Sequence, residues 1–396
     1  MEDSGSTSGQ DAEKILTTEQ KARYARHLML PQVGEEGQEK INSSSVLVVG
    51  AGGLGSPVLM YLAAAGIGRI GIIDDDIIDI TNLQRQIIHS TSAIGEFKVD
   101  SAKRRIKQIN PDIKVETFNL RLGIENIENI IRDYDIIVDG TDNFATRYTI
   151  SDCCEILDKT WVFGSIHRFE GQVSVFNLNG SPNYRDLFPK APPPELAPNC
   201  AEAGVLGVLP GIIGSFQANE VLKIVLEIGD TLDGKLLLID ALTMNMRTLS
   251  YSVNKKREKV TELSEEAIAC SVNGSEQKSL DVSSKKQNMK EIQPSEYLEK
   301  LRQGWTPFFL DVRSESEEKI VSLPNTDLRI SHTEIPTKIQ EIPTNKDIVV
   351  YCRSGMRSAR VVRFLEMSGN YSKNLYNLSG GIHLWSDTID SSIPKY

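Results

Sequence analysis

The stretch SSVLVVGAGGLGSPVLMYLAAAG (44–66) constrains what this chain can fold into more than any other. A short β-branched run ends in glycine, and a segment of small, helix-forming residues follows and closes at Gly66. An unbroken apolar run of that length reads as a buried parallel strand. The junction, GAGGLG (50–55), fits GxGxxG through Gly50, Gly52 and Gly55, with Gly53 in addition. Glycines let backbone turn tightly and approach phosphates, and the helix N-terminus that follows favours anions. Alone this signal suits a nicotinamide enzyme, an ATP site or a glycine-rich turn with no ligand. RIGIIDDD (69–76) is a second strand ending in carboxylates, FKVDSAKRRIKQIN (97–110) a helix, and DYDIIVDGTDN (133–143) another strand. Strands alternating with helices predict a doubly wound α/β sheet.

At 396 residues the chain has room for two or three domains. Residues 1–16 are polar and are expected to form a disordered tail; 17–271 carry the first α/β pattern. Within it, TEQKARYARH (18–27) predicts one helix capped by Thr17 or Thr18, 208–228 a helix, and KLLLID (235–240) a strand. Residues 272–290 have few apolar side chains and no period, as a linker does. A second, smaller α/β pattern spans 291–396, with strands at FFLDVR (308–313) and DIVVYC (347–352) and a helix from Ser358. The net charge of −10 argues against general nucleic-acid binding. No run of 18 apolar residues and no signal-peptide pattern occur, so neither a membrane span nor secretion is expected, and the cytoplasm is. Five cysteines (Cys153, Cys154, Cys200, Cys270, Cys352) are too few for a disulfide framework. No CxxC pair occurs, which argues against a structural zinc.

Asp74 ends the second strand, where a ribose-binding carboxylate belongs. Just downstream stand Asn82, Arg85 and Lys98, and Asp142 ends the next strand in TDN, placed to hold or orient a magnesium ion. A triphosphate attacked by a carboxylate needs such cations, because negative charge builds on its oxygens. The stretches RYARHLMLP, GAGGLGSPVLMYLAAAGIG, DDDIIDITNLQRQIIHS, DGTDNFATRY and CAEAGVLGVLPGIIGSFQANEVLK resemble the MoeB/ThiF family, relatives of ubiquitin-activating enzymes. The resemblance implies a Rossmann-like domain that uses ATP and Mg2+ to form an acyl-adenylate on the C-terminal Gly-Gly of a ubiquitin-like sulfur carrier. It assigns Gly50, Gly52, Gly53 and Gly55 to the nucleotide loop and Asp74 and Asp76 to the ribose and its surroundings. Asn82, Arg85 and Lys98 then face the phosphates, and Asp142 supports magnesium and adenylation. Arg26 resembles an arginine finger reaching the partner subunit's ATP, which implies a homodimer. The chain departs from the family at the two CxxC pairs that bind zinc: Asn183 and Asp186, and Tyr251 and Asn254, stand at those positions. No zinc is therefore expected, and packing must hold that lobe.

In CRSGMRS (352–358), Cys352 ends a strand, and Arg353, Ser354, Gly355, Met356, Arg357 and Ser358 return the chain into a helix. Inward backbone N–H groups, a helix N-terminus and nearby arginines lower a thiol pKa from about 8.5 and stabilise an anionic persulfide. A phosphatase also uses a Cys-to-Arg loop. CRSGMRS together with LDVR and LSGGIHLW resembles a rhodanese domain, and the whole resembles molybdopterin-synthase adenylyltransferase/sulfurtransferases. That resemblance implies a sulfur donor, either a cysteine desulfurase or thiosulfate, loading Cys352. Cys200, in APNCAEAG, is then a thioester-forming or disulfide-resolving thiol, and the two orders stay open. In either order the linker must let Cys352 reach the adenylate. Thiamine, cysteine and tRNA thiolation are alternative destinations for the sulfur; a non-catalytic scaffold binding a ubiquitin-like protein is the alternative of another class. Cys153, Cys154 and Cys270 read as structural, the five histidines as packing or surface residues, and Trp161, Trp305 and Trp385 as core anchors.

Overall fold

A computed structural model describes residues 16–190, 204–263, 290–371 and 373–396. These fall into two compact units, divided at Ser275. In the first, the described strands are β1 (Ser45–Val49), β2 (Arg69–Ile73), β3 (Lys114–Phe118), β4 (Ile136–Asp139), β5 (Thr160–His167), β6 (Glu170–Phe176), β7 (Lys235–Asp240) and β8 (Asn245–Ser250). They form one sheet in the order β3-β2-β1-β4-β5-β6-β7-β8. β3 to β5 pair in parallel, whereas β5 to β8 pair antiparallel. The sheet is thus a doubly wound half continued by a meander.

β1 shows why its sequence lacks alternation. Val46 and Val48 pack on one face with Val58, Leu62 and Ile106, while Leu47 and Val49 pack on the other with Ile137, Tyr148 and Trp161. Successive strand residues face opposite sides, so burial on both demands apolar residues throughout. Each such side chain contributes about 1.5–3 kcal/mol. The Gly55–Ala65 helix ends where Gly66 adopts φ 94°, and the Leu209–Leu226 helix has Pro210 in its first turn.

The single helix expected over 18–27 is instead two, Thr18–Arg23 and Ala25–Leu28. Thr17 caps the first in a capping box with Gln20. The break falls at Tyr24, which is buried and whose hydroxyl accepts from Asn110 Nδ2 at 2.8 Å. Tertiary anchoring of one side chain outweighs local helix propensity there. Leu16 is buried and Lys290 opens a strand, each one residue inside the segments assigned above to tail and linker.

The described strands of the second unit are β9 (Lys290–Ile292), β10 (Phe308–Asp311), β11 (Leu328–Arg329), β12 (Ile348–Tyr351) and β13 (Leu375–Leu378), all parallel in the order β11-β10-β12-β13-β9. β12 is central and again buried on both faces: Ile348, Val350 and Cys352 pack on one side, Val349 and Tyr351 on the other. The helix expected from Ser358 begins two residues earlier, at Met356. Trp161 and Trp385 are fully buried, while Trp305 is half-buried and donates Nε1–H to Asp347 at 2.8 Å. No described helix is long and apolar enough to cross a membrane.

The four positions where the family places zinc ligands do not offer a free donor set. Asn183 Oδ1 accepts from Arg185 N–H and the Ser151 hydroxyl, both at 2.8 Å. Asp186 accepts from Asn254 N–H at 3.1 Å and from Arg257 Nε at 2.9 Å. The Tyr251 hydroxyl lies 2.6 Å from that of Ser174. Arg257 also forks onto Glu155 at 2.9 and 2.8 Å, so one guanidinium ties the segment after β8 to two elements. Burial pushes the Asp186 carboxyl up, but Arg257 and two backbone N–H groups hold it below its ordinary value. Glu155 and Asp186 are 7% and 1% exposed, so losing Arg257 strands two buried carboxylates, a cost of about 3 kcal/mol. Arg257→Ala should lower the Tm of the first unit by roughly 6–12 °C. A chelator added to the parent protein should leave that transition where it is; both are read by scanning calorimetry.

Candidate active sites

In the first unit, parallel pairing sets Val49 level with Ile73 on one side and with Asp139 on the other. The chain therefore leaves β1, β2 and β4 at one sheet edge, and the three turns surround a cleft of about 290 Å³. Gly50, Gly52 and Gly53 line it, as do Asp74, Asp76, Arg85, Lys98 and Asp142. Gly55 does not; a Cβ there would fall 1.9 Å from Gly50 O, so its role is to let the helix start against the loop.

Asp74 organises the loop, accepting from Ala51 N–H at 2.8 Å and from Asp76 N–H at 2.9 Å. Burial raises its pKa, opposed by Lys98. Lys98 Nζ lies 2.6 Å from Asp76 and 3.9 Å from Asp74, so these carboxylates currently balance the ammonium expected at the phosphates. Arg85 donates to Thr81 O at 3.0 Å and lines the cleft. The structure does not bring the Asn82 side chain into the cleft: its Oδ1 accepts from Asp79 N–H at 3.0 Å in a capping box. Arg26 is exposed and does not line the cleft of its own chain. Cys200 lies outside the described residues, as do Cys270 and most of the tail and linker.

Sequence reasoning passed over three residues here. Asp139 is fully buried beneath the cleft, paired with Arg147 Nε at 3.1 Å and accepting from Thr141 N–H at 2.8 Å. Both Asp139 and Arg147 lie in DGTDNFATRY, but only their contact reveals the pair. Gln86, in TNLQRQ, is 4% exposed and lines the cleft, and its Oε1 has no partner among the described residues. A buried unpaired carbonyl oxygen costs about 1–3 kcal/mol, so it marks a place where a ligand donor belongs. Cleft, cations, acidic turns and the orphaned amide together fit a nucleoside triphosphate with its magnesium.

In the second unit Cys352 follows β12 directly and is fully buried. Gly355 N–H donates to Sγ at 3.1 Å and the Ser358 hydroxyl does so at 3.4 Å. Gly355 has φ 88°, which turns its N–H back to the sulfur just before the Met356–Ser368 helix. Ser354 is half-buried and Met356 exposed. Arg353 Nη1 donates to Tyr396 O at 3.4 Å. Arg357 is turned onto Glu317, at 2.8 and 2.6 Å. Arg313 of LDVR is closed on Asp311, both side chains fully buried. Donors aimed at a buried sulfur stabilise a thiolate or persulfide anion.

The sequence profile of the ThiF family matches residues 24–261, and that of the rhodanese-like domain matches 293–388. The chain belongs to the ThiF family. This ThiF-family protein is 40% identical over 387 residues to a Mycobacterium tuberculosis protein named "Probable adenylyltransferase/sulfurtransferase MoeZ", covering 96% of each chain. It is 42% identical over 388 residues to the "Probable molybdopterin-synthase adenylyltransferase" of Porphyra purpurea, covering 94% of each. A solved structure of the microcin C7 biosynthetic enzyme MccB with N-formylated MccA shares the fold, with a TM-score of 0.55 at 20% identity over 60% of this chain and 74% of that one. The ThiF-family protein is thus an enzyme of the adenylyltransferase and sulfurtransferase class.

Gln86→Leu removes the orphaned oxygen at nearly constant volume. It should leave the Tm unchanged or slightly raised while weakening ATP binding about tenfold, measured by calorimetric titration and ATP-induced Tm shift.

Proposed function

We propose that this enzyme adenylates the C-terminal glycine of a ubiquitin-like sulfur carrier and converts it to a thiocarboxylate with sulfur held on Cys352. The observation that carries the reading is the pairing, in one chain, of a cation-rich triphosphate cleft with a buried sulfur facing two hydrogen-bond donors. In the first step the carrier carboxylate attacks the α-phosphorus of ATP, giving an acyl-adenylate and pyrophosphate. The glycine loop and the following helix N-terminus hold the phosphates, and Asp74 orients the ribose. Arg85 and Lys98 stabilise the charge that builds as pyrophosphate leaves, with Asp76 yielding Lys98 to the phosphates. Asp142 would hold magnesium, which supplies charge neutralisation on the phosphate oxygens when bound.

In the second step the terminal sulfur of the Cys352 persulfide attacks the acyl carbon and expels AMP, forming an acyl disulfide. Cys200 thiolate then attacks Cys352 Sγ, releasing the carrier thiocarboxylate and leaving a Cys200–Cys352 disulfide for a dithiol reductant. Cys153, Cys154 and Cys352 are free thiols, in keeping with a reducing compartment such as the cytoplasm. The near-full-length relative named for molybdopterin synthase favours molybdopterin formation as the destination.

This reading includes a second copy of the chain. Arg26 is exposed and absent from its own cleft, and Tyr61, Ile87 and Val208 (57%, 56% and 60% exposed) mark an apolar face suited to a homodimer. Arg26 of each subunit then serves the other's cleft.

ATP–pyrophosphate exchange with Gly-Gly-ending carriers, followed by carrier intact mass, tests the pathway: one carrier should support exchange and then gain one sulfur for oxygen. Asp142→Ala should lower exchange at least about 100-fold, near 2.7 kcal/mol of barrier. Cys352→Ala should keep exchange and abolish the mass gain. Arg26→Ala and Asp142→Ala proteins, each inactive, should regain about a quarter of wild-type exchange when mixed, because half the dimers then carry one intact site. No recovery would place Arg26 outside the partner's site.

A further inference from the structure

The loop around Cys352 carries two arginines, yet one of them is spent before any substrate arrives. Arg357 directs both terminal nitrogens at Glu317, Nη1 to Oε2 at 2.8 Å and Nη2 to Oε1 at 2.6 Å. The pair is nearly dry, with side chains 6% and 18% exposed. Glu317 is itself fixed: Oε2 accepts from Ser314 N–H at 3.1 Å and from the Ser314 hydroxyl at 3.0 Å, and Oε1 from the Tyr396 hydroxyl at 3.3 Å. The neighbouring cation offers no substitute. Arg313 is closed on Asp311, on Val321 O at 2.9 Å and on the Tyr396 hydroxyl at 2.6 Å. That leaves Arg353, whose Nη1 donates to Tyr396 O at 3.4 Å, as the loop's other cation.

We propose that Glu317 is a specificity-determining residue, which neutralises Arg357 and so makes the Cys352 site favour a persulfide donor, whose leaving sulfur carries one charge, over thiosulfate, whose leaving sulfite carries two. The inference rests on Cys352 being the sulfur acceptor. With a persulfide, Cys352 thiolate attacks the outer sulfur of R–S–S⁻; the S–S bond breaks, Cys352–S–S⁻ forms and R–S⁻ leaves. With thiosulfate the same attack expels sulfite, SO₃²⁻, and a dianion must be held beside the developing persulfide. That second path needs more uncommitted positive charge beside the sulfur than the first. Surrounding hydrogen bonds hold the Glu317 carboxyl at a pKa of about 2 in spite of burial, so the pair persists across the working pH range.

The test uses the full chain and cyanide as sulfur acceptor, reading thiocyanate with thiosulfate or glutathione persulfide as donor. Cys352→Ser should abolish transfer from both; if it does not, or if the parent loads sulfur from neither donor, the reading of Cys352 fails and this inference with it. Given that control, Glu317→Gln frees Arg357 and should raise kcat/KM for thiosulfate about tenfold, with the persulfide value within about twofold. The Glu317→Gln/Arg357→Gln double variant removes both charges together and should restore the parental ratio of the two donors. Glu317→Asp, which keeps the charge, should also stay near that ratio. An unchanged ratio in Glu317→Gln, or equal loss with both donors, overturns the proposal. Should the single variant not fold, the double variant decides: a more than fivefold selective loss of thiosulfate transfer would mean that Arg357 already serves the dianion.

Discussion

Parallel strand pairing is the constraint on which both units depend. Register places the last residues of β1, β2 and β4 side by side, so Gly50, Asp74 and Gly140 emerge at a single edge about one strand spacing apart. β10, β12 and β13 repeat this in the second unit, delivering Arg313, Cys352 and the Gly380–Gly381 turn to one edge. Backbone groups freed at those ends have no further ladder partner, and they turn to ligand, sulfur or carboxylate instead. Ala51 N–H on Asp74 and Gly355 N–H on Cys352 Sγ are two cases of one principle.

Close packing at these edges has an electrostatic consequence. Charges brought together for catalysis must be countered in the folded chain, and here each counter-ion is specific: Asp76 for Lys98, Asp139 for Arg147, Asp311 for Arg313, Glu317 for Arg357. Where both partners are fully buried, as in Asp311–Arg313, the pair shapes the turn and has no route to a substrate. Where one partner is exposed, as Asp76 is at 66%, the pair can open. This difference in burial separates scaffold from machinery among side chains of the same type. The Arg257 clamp is closer to the first group, tying the segment after β8 to the two helices that carry Glu155 and Asp186.

Much of the fold was legible because its signals are local. Strand β1 and the helix after it, the capped start at Thr17 and the central strand β12 follow from apolar runs, capping residues and glycine positions. The antiparallel meander β5–β8 was less so: β8 has exposed residues along its whole length, and an edge strand with no buried face shows no alternation. The break at Tyr24 was invisible for a different reason, since its partner Asn110 is 86 residues away. At the sites, residue types and strand ends pointed to Arg85, Lys98, Asp142 and Cys352. Asn82, by contrast, has a short polar side chain that a neighbouring backbone could claim, and Asp79 claimed it.

By itself, then, the sequence determined the alternation of strands and helices, the glycine loop, the cysteine loop and which charged residues stand at strand ends. These depend on contacts within a few residues and on periodicity. Tertiary structure alone decided which of those charges remain available. Arg353 and Arg357 are equivalent in the written motif, but only the fold brings Glu317 forty residues through the chain to take one and leave the other. A charge's reach is a few ångströms in space, and distance along the chain carries no information about it.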